Sequence, residues 1–421
     1  MTSTRSARAA ATRQRILDAA HELFVSQGYR ATSLRDIAAA ASVSHPGLLG
    51  HFASKDDLLA EVVAQFEQDN ADVFTVVVAA AEPGALMFSE LAARNATTPG
   101  YLELFAALTG EASAPGHPSH ERMRERYADM RALTIDALQD AVDHGVIAPD
   151  RDVEAETTRA IAGWDGLQLM AQYLPDRVDV VDMLEERESL WATPVGWRDP
   201  GEQETSAESA GPLPELVIGG PDDHDDESGY AAGRRRRSQI LADAMQLFAR
   251  RGYGDTSLRD IAQAVGVSKS TLLHHYPTKE ALLGAVLTER DKAIRVQGET
   301  ADARRAADLL RGMPSGAVHN AVDEPGLIEV YAVLSCEAVP ASHPAHTYFQ
   351  NRFARSMEYF TEVFRLAQLD GDLPAHRDPE REAVWLIALW DGLQYQWLYD
   401  RNAVDVAAQL RAHLEDVLPR R

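Results

Sequence analysis

Lys269, Ser270 and Thr271 follow Ser268, and His274 and His275 stand one helical turn further on. Lysine can read a guanine edge, and serine or threonine can donate or accept at several bases. Short polar side chains at the start of a capped helix are the arrangement that a recognition helix places in a major groove. Lys279 follows close behind as a phosphate contact. Thr256 stands at another helix start, where backbone N–H groups face an anion. Ahead of these lie Arg234 and Arg235, with Arg236 and Arg237, placed to follow a phosphate backbone or enter a minor groove. The equivalent stretch near the N-terminus offers fewer donors. There Thr32, Ser44, His45, His51 and Lys55 stand around Pro46, Gly47 and Gly50, with Arg5, Arg8 and Arg13 upstream. Two glycines weaken a short helix by about 1 kcal/mol each relative to alanine.

The elements that must position these residues repeat. ILDAAHELFVSQGYRATSLRDIAAAASVSHPGLLGHFASKDDLL from Ile16 aligns without a gap, at an offset of 224, with ILADAMQLFARRGYGDTSLRDIAQAVGVSKSTLLHHYPTKEALL from Ile240. Further on the offset becomes 226: Trp164-Asp165-Gly166-Leu167-Gln168 matches Trp390-Asp391-Gly392-Leu393-Gln394. In the first copy Ile16, Leu17, Ala20, Leu23 and Phe24 have helical spacing, and Gly28 stops the helix. Ser33 with Asp36 forms a capping-box pair, Ala41 to Val43 form the turn, and Ser44 caps the next helix. Ser257 with Asp260, Val265-Gly266-Val267 and Ser268 repeat that order. Two short helices joined by a tight turn make a helix-turn-helix.

These two segments resemble the N-terminal domain of TetR-family transcription regulators, over 45–50 residues in each half. The resemblance implies an all-α fold of two tandem units. Each unit would have a three-helix DNA-binding domain followed by a helical ligand-binding and dimerisation domain. It adds Tyr276 to the phosphate contacts. It further implies a double-stranded DNA operator, repression as the mode of regulation, and a four-helix dimer interface built from the last two helices of each unit. Trp164, Trp390, Tyr395 and Trp397 are candidates for that interface. The domain division expected is 1–53 and 54–190 for the first unit, a 191–232 linker, then 233–277 and 278–421. The linker is rich in Pro, Gly, Ser and acid and ends in DDHDDES; within it, LPELVIG could form a strand or anchor.

Beyond the readers, a helix from Asp56 to about Ala80 is expected, then further helices broken at Pro83-Gly84, Thr98-Pro99-Gly100 and Pro115-Gly116. The last two helices of each half run from Asp152 to Leu174 and Val178 to Leu190, and from Pro379 to Tyr399 and Val404 to Leu418. A small apolar effector would be met by Phe105, Tyr127, Trp164, Tyr331 and Trp390, although aromatics at helical spacing also serve as ordinary core. His117-Pro-Ser-His120 and His343-Pro-Ala-His346 lack a third metal ligand, and helix-start capping or packing is the expected role. No metal, cofactor or enzymatic motif is expected, and the lone Cys336 reads as a buried small hydrophobe suited to a cytoplasmic setting. Neither a secretory leader nor a membrane span is expected from the basic, non-apolar start and the lack of a long apolar run.

The net charge of −24 speaks against nucleic-acid binding until its layout is seen. Asp176 to Gly229 holds 16 acids against 3 arginines, whereas Tyr230 to Leu287 holds 9 basic residues against 4 acids. DNA responds to charge within about 10 Å, so the local excess decides. Met1 to Val63 holds 7 basic residues and 6 acids, which marks the first reader as a different and weaker one. Pairing of the two halves within one chain would therefore present unlike readers to an asymmetric operator; a homodimer of chains would carry four. A third arrangement leaves DNA to the second reader and dimerisation or protein interaction to the first half.

Overall fold

A computed structural model describes residues 2–29, 32–65, 68, 82–98, 100–117, 119–202, 209–215, 231–253, 256–299, 304–322 and 325–420. Among them the chain is helical and holds no strand. The first half comprises α1 (Thr2–Gln27), α2 (Leu34–Ala40), α3 (His45–Leu49), α4 (55–65), α5 (Phe88–Thr97), α6 (Tyr101–Glu111), α7 (His120–Asp143), α8 (Val153–Tyr173) and α9 (Val180–Leu190). The second comprises α10 (Ala231–Arg251), α11 (Leu258–Val265), α12 (Lys269–His275), α13 (Lys279–Glu299), α14 (Ala306–Val322), α15 (Pro325–Glu337), α16 (His346–Leu369), α17 (Pro379–Tyr399) and α18 (Val406–Val417). The expected helix from Asp56 to Ala80 is observed over 55–65; much of its remainder lies outside the described residues.

Asp and Ser side chains start several of these helices. Asp152 accepts from Ala155 N at 3.1 Å, and Asp378 accepts from the backbone N–H groups of Glu380 and Arg381 at 2.9 Å each. Such caps satisfy donors that have no partner inside the helix.

The most extensive helix contact is that of α8 with α17, one from each half. Their backbones cross where both sequences read WDGLQ. A Cβ on Gly166 would lie 2.0 Å from the carbonyl oxygen of Ala388, and one on Gly392 would lie 1.9 Å from that of Ala162. Only glycine permits that approach. Ala162 and Ala388 are themselves related by the 226 offset, so the crossing has approximate two-fold symmetry. Trp385 fills the space beside Gly163. On either side of the crossing a tyrosine enters the opposite half: the buried Tyr173 hydroxyl donates to Ser335 O at 2.5 Å, and Tyr399 to Thr109 O at 2.6 Å.

The linker is less free than its composition suggested. Residues 191–195 stay on the first half, where Trp191 Nε1 donates to Glu156 and Val195 N to Asp150, and from Gly196 the chain reaches the second half by donating to Asp416. Arg198 donates to the carbonyls of Gly371 (3.0 Å) and Asp372, just past the end of α16. Ala210 N donates to Asp370 Oδ1 at 2.5 Å. A guanidinium at a helix C-terminus satisfies orphan carbonyls and meets the negative end of the dipole. Residues 213–215 form no strand, and the DDHDDES segment lies outside the described residues.

The helices that follow each helix-turn-helix enclose a packed interior. Phe105, Tyr127 and Tyr331 are buried, with Trp164 and Trp390 partly so. The Tyr127 hydroxyl donates to Asp165 at 2.8 Å and that of Tyr331 to Asp391 at 3.0 Å. A cleft of about 280 Å³ opens elsewhere, between Ser113–Pro115 and residues such as Gln246, Arg250 and Arg401, and none of the five aromatic candidates lines it. Cys336 is buried, and burial pushes its thiol up to about 12. No described helix is long and apolar enough to cross a membrane.

Two outcomes test this core. Gly166→Ala should lower the thermal midpoint by at least about 5 °C in a circular-dichroism melt, because overpacking costs about 1–3 kcal/mol and the neighbour here is backbone. Burial pushes Asp165 up to about 6, against the opposing charge of Arg126 and the Tyr127 hydrogen bond, with Tyr399 also facing it. A carboxyl whose folded value is raised contributes stability below its unfolded value and loses it as pH climbs through the folded one. Asp165→Asn should therefore melt a few degrees above the wild type at pH 7.5, and the gain should vanish below pH 4.

Candidate nucleic-acid interface

The second reader is built as its caps dictate. Ser257 Oγ accepts from Asp260 N at 3.2 Å while Asp260 Oδ2 accepts from Ser257 N at 3.0 Å, a reciprocal capping box. The Ser257 hydrogen bond holds the Asp260 carboxyl below its ordinary value, which keeps the cap charged. Gly266 ends α11 at φ 72°, in the left-handed region. Ser268 Oγ then accepts from Thr271 N at 3.0 Å and starts α12. Ile261, Ala262, Val265 and Leu272 turn inward against Ile240 and Phe248 of α10. That inward face leaves Lys269, Ser270, Thr271 and His274 exposed, with His275 half-buried. Burial and the nearby His274, Arg237 and Arg236 all lower the His275 pKa, so its imidazole is neutral near pH 7. Arg235, Arg236 and Arg237 are exposed on α10. The Arg234 side chain lies outside the described residues.

The first reader has the same frame and a poorer presenting helix. Ser33 and Asp36 form the equivalent box, with Ser33 N donating at 3.0 Å and Asp36 N at 3.3 Å. Ser44 caps α3 by accepting from Gly47 N at 3.1 Å. α3 is only five residues long, His45–Leu49, where α12 has seven. Ser44 is exposed and His45 and His51 are half-buried, while Leu49 presents an apolar surface at 42% exposure. In the turn, Ser42 occupies φ 55°, the position that Gly266 fills in the second reader at the 224 offset. A side chain there brings Cβ against the backbone at a cost of roughly 1–2 kcal/mol.

Several of the expected contact residues make hydrogen bonds or ring contacts within the protein. The Thr32 and Thr256 side chains are buried; their hydroxyls donate to Gly28 O at 2.9 Å and Gly252 O at 2.7 Å. Both backbone N–H groups also donate within the turn, to Tyr29 O and Tyr253 O at 3.3 Å each. A threonine two residues before a helix closes the turn as readily as it holds an anion, and spacing cannot separate the two. Lys55 donates to Tyr29 O and Thr32 O at 3.1 and 3.2 Å and lies 4.3 Å from the Tyr29 ring centroid. Lys279 likewise sits 4.0 Å from the centroid of Tyr253. Both lysines are therefore held over the turn rather than extended into solvent. Tyr276 is buried with its hydroxyl accepting from Arg237 Nε at 3.2 Å.

Tyr29 and Tyr253 join each reader to its sensor half, a role the sequence did not single out. The Tyr29 hydroxyl donates to Asp56, and His117 Nε2 stands 3.8 Å from the same carboxylate. Tyr253 N donates to Glu337 Oε2 at 2.6 Å, its hydroxyl donates to Glu280 at 3.0 Å, and His343 meets its ring edge-on at 5.2 Å. His120 Nδ1 lies 2.7 Å from Ala112 O and His346 Nδ1 3.0 Å from Ala338 O, which pins the loop after α6 and after α15. The paired histidines thus do packing and capping work. The signal available in the sequence was the matched GY and HP dipeptides in both halves.

Because the left-handed turn is the clearest local difference between the readers, Ser42→Gly should raise the chain's unfolding free energy by roughly 0.5–1 kcal/mol in urea titration.

The family model for bacterial regulatory proteins of the tetR family matches residues 16–62 and again 240–286. The model for the C-terminal part of BetI-type transcriptional repressors matches residues 332–420. The HTH-type transcriptional repressor KstR2 of Rhodococcus jostii (strain RHA1) is 29% identical over 192 residues, which is 40% of this chain and 85% of that protein. The HTH-type transcriptional repressor DhaR of Mycobacterium sp. (strain GP1) is 26% identical over 187 residues, 44% of this chain and 92% of its own length. A solved structure of a putative TetR-family regulator from Rhodococcus sp. aligns at 26% identity and a TM-score of 0.37, covering 44% of this chain and 99% of that one. The relatives are thus nearly whole where this chain is less than half used. The chain belongs to the TetR family of transcription regulators and carries two TetR-like units in tandem.

Proposed function

We propose that this regulator binds a double-stranded operator as a repressor, with its two halves paired inside one chain so that two unlike readers face the DNA together. The observation that carries this reading is the α8–α17 crossing at Gly166 and Gly392, which takes up the faces through which a family dimer would form. A symmetric dimer reads a palindrome because its readers are identical. Here α12 offers Lys269, Ser270 and Thr271, while α3 offers Ser44 and His45 beside Pro46 and Gly47. The operator is therefore asymmetric, with one half-site read more stringently than the other. Arg235 and Arg236 add phosphate contacts to the stronger side, and Arg234 extends the same stripe.

The division of labour follows: 1–53 and 233–277 read DNA, 54–190 and 278–421 sense and pair, and 191–232 connects them. A small apolar effector would act on the sensor halves and shift the spacing of the readers. Phe105, Tyr127, Trp164, Tyr331 and Trp390 would have to repack to admit it, with the Tyr127–Asp165 and Tyr331–Asp391 hydrogen bonds giving way. A coupling of about 1–3 kcal/mol is sufficient for regulation.

Selection of bound duplexes from a random pool, followed by the mass of the complex, tests the reading. The expected result is an asymmetric site occupied by one chain of 46.1 kDa. A perfect palindrome, or two chains on one minimal site, would refute it. On the selected duplex, Lys269→Ala should weaken binding about 10- to 100-fold and relax base preference at one position. His45→Ala should cost less than tenfold. A variant lacking residues 5–52 that bound with unchanged affinity would assign all DNA reading to the second half.

A further inference from the structure

Beneath the α8–α17 crossing lies a buried cluster of ions contributed unequally by the two halves. From the first half come Arg151, Glu156, Arg159 and Arg187; from the second come Arg377, Glu382 and Asp416, all less than 9% exposed. Arg151 Nη1 reaches Glu156 at 2.8 Å and Asp416 at 3.4 Å. Arg377 mirrors it, reaching Glu382 at 2.7 Å and Asp416 at 3.1 Å. Arg187 crosses to Glu382 at 3.4 Å and lies 4.2 Å from the centroid of the Trp385 ring. Arg159 pairs with Glu156 at 3.0 Å and crosses to Gln409 Oε1 at 3.0 Å.

The 226 offset shows which of these positions are alike and which are not. Arg151 corresponds to Arg377 and Glu156 to Glu382, so two arginine–glutamate pairs are common to both units. Three positions differ: Arg159 corresponds to Trp385, Arg187 to His413 and Leu190 to Asp416. These three supply the complementarity. Asp416 binds the common arginines of both halves, and Leu190 could bind neither. Trp385 offers Arg187 an aromatic face where the first half has a second guanidinium. His413 is buried, and burial together with Arg187 lowers its pKa to about 3, so it adds no cation beside Arg159 and Arg187. Burial would raise Glu382, yet Arg187 and Arg377 outweigh it and hold the carboxyl down to about 2.

We propose that this face discriminates between partners: a first half accepts a second half and rejects another first half, and a second half likewise rejects its own kind. The proposal rests on the reading that the halves pair within the chain, and adds to it why only that pairing forms. As observed, four arginines meet three carboxylates. Two first halves would bury six arginines with two carboxylates, and two second halves would bury four carboxylates with two arginines. An uncompensated buried charge costs far more than a paired one contributes, so the excess decides between partners. The consequence for function is that like halves of two chains cannot share this face, and while it is filled within one chain operator occupancy depends on chain concentration to the first power.

Full-length exchange variants test this. Trp385→Arg with His413→Arg and Asp416→Leu gives the second half the first half's residues. Arg159→Trp with Arg187→His and Leu190→Asp does the reverse. Each triple variant should lose roughly 10 °C or more in its unfolding midpoint, and the chain carrying all six substitutions should recover at least half of the larger loss, because it restores the complement in mirror image. If either triple variant expresses only as insoluble protein, recovery of soluble protein by the sixfold variant gives the same reading. Losses that simply add in the sixfold variant, or triple variants as stable as the wild type, would overturn the proposal. The native mass of the wild type separates the two ideas. A two-chain particle would remove pairing within the chain and leave the exchange cycle to judge selectivity. A one-chain particle with additive losses would remove selectivity alone.

Discussion

The backbone contact of α8 with α17 is the constraint on which the rest of this protein depends. Gly166 and Gly392 bring two helices so close that a single methyl on either would meet a carbonyl oxygen. Everything around the crossing is then fixed in register. Tyr173 and Tyr399 are delivered to carbonyls of the opposite half, and Trp385 is wedged beside Gly163. The buried arginines arrive where their carboxylates stand. Buried ions are a costly way to join two surfaces, but they punish misalignment severely, and specificity is what two nearly alike units in one chain require.

The crossing also sets how the sensor halves meet the readers. α15 ends at Glu337, which accepts from the backbone of Tyr253 in the second reader's turn. Two residues earlier, Ser335 O accepts from Tyr173 of the first half. One short stretch thus touches both a reader and the other unit. Tyr399 treats Thr109 in the same manner, and its ring packs at 5.3 Å from Tyr127. Contacts thus run without a break from each reader's turn or flanking core to the opposite half.

The two readers share a frame and differ in what they present. Both have the reciprocal serine–aspartate box, which satisfies the first N–H groups of the second helix. The presenting helices diverge: α12 is seven residues with exposed polar side chains, and α3 is five residues with proline and glycine in its first turn. Ser42 holds a backbone angle that glycine holds in the other unit. A strained turn and a short helix give the first reader less surface and fewer donors.

The sequence by itself determined the doubling, the all-helical class, the place of both readers and the extent of the last helices in each half. These features are local: caps at i and i+3, glycine stops and apolar spacing all act within a few residues and can be read in order. The family resemblance pointed to the last two helices of each half as a pairing surface, but tertiary structure decided that α8 and α17 of one chain cross there, because partners separated by more than 200 residues leave no local spacing to read. It turned Thr32 and Thr256 inward, held Lys55 and Lys279 over tyrosine rings, and buried Phe105, Tyr127 and Tyr331. It also laid the linker's Arg198 on the end of α16, where composition suggested a free chain. The buried ion cluster was the least legible feature. Its arginines and carboxylates look like ordinary surface charges in a chain with 65 acids, and only the approach of two backbones at glycine takes them out of water together.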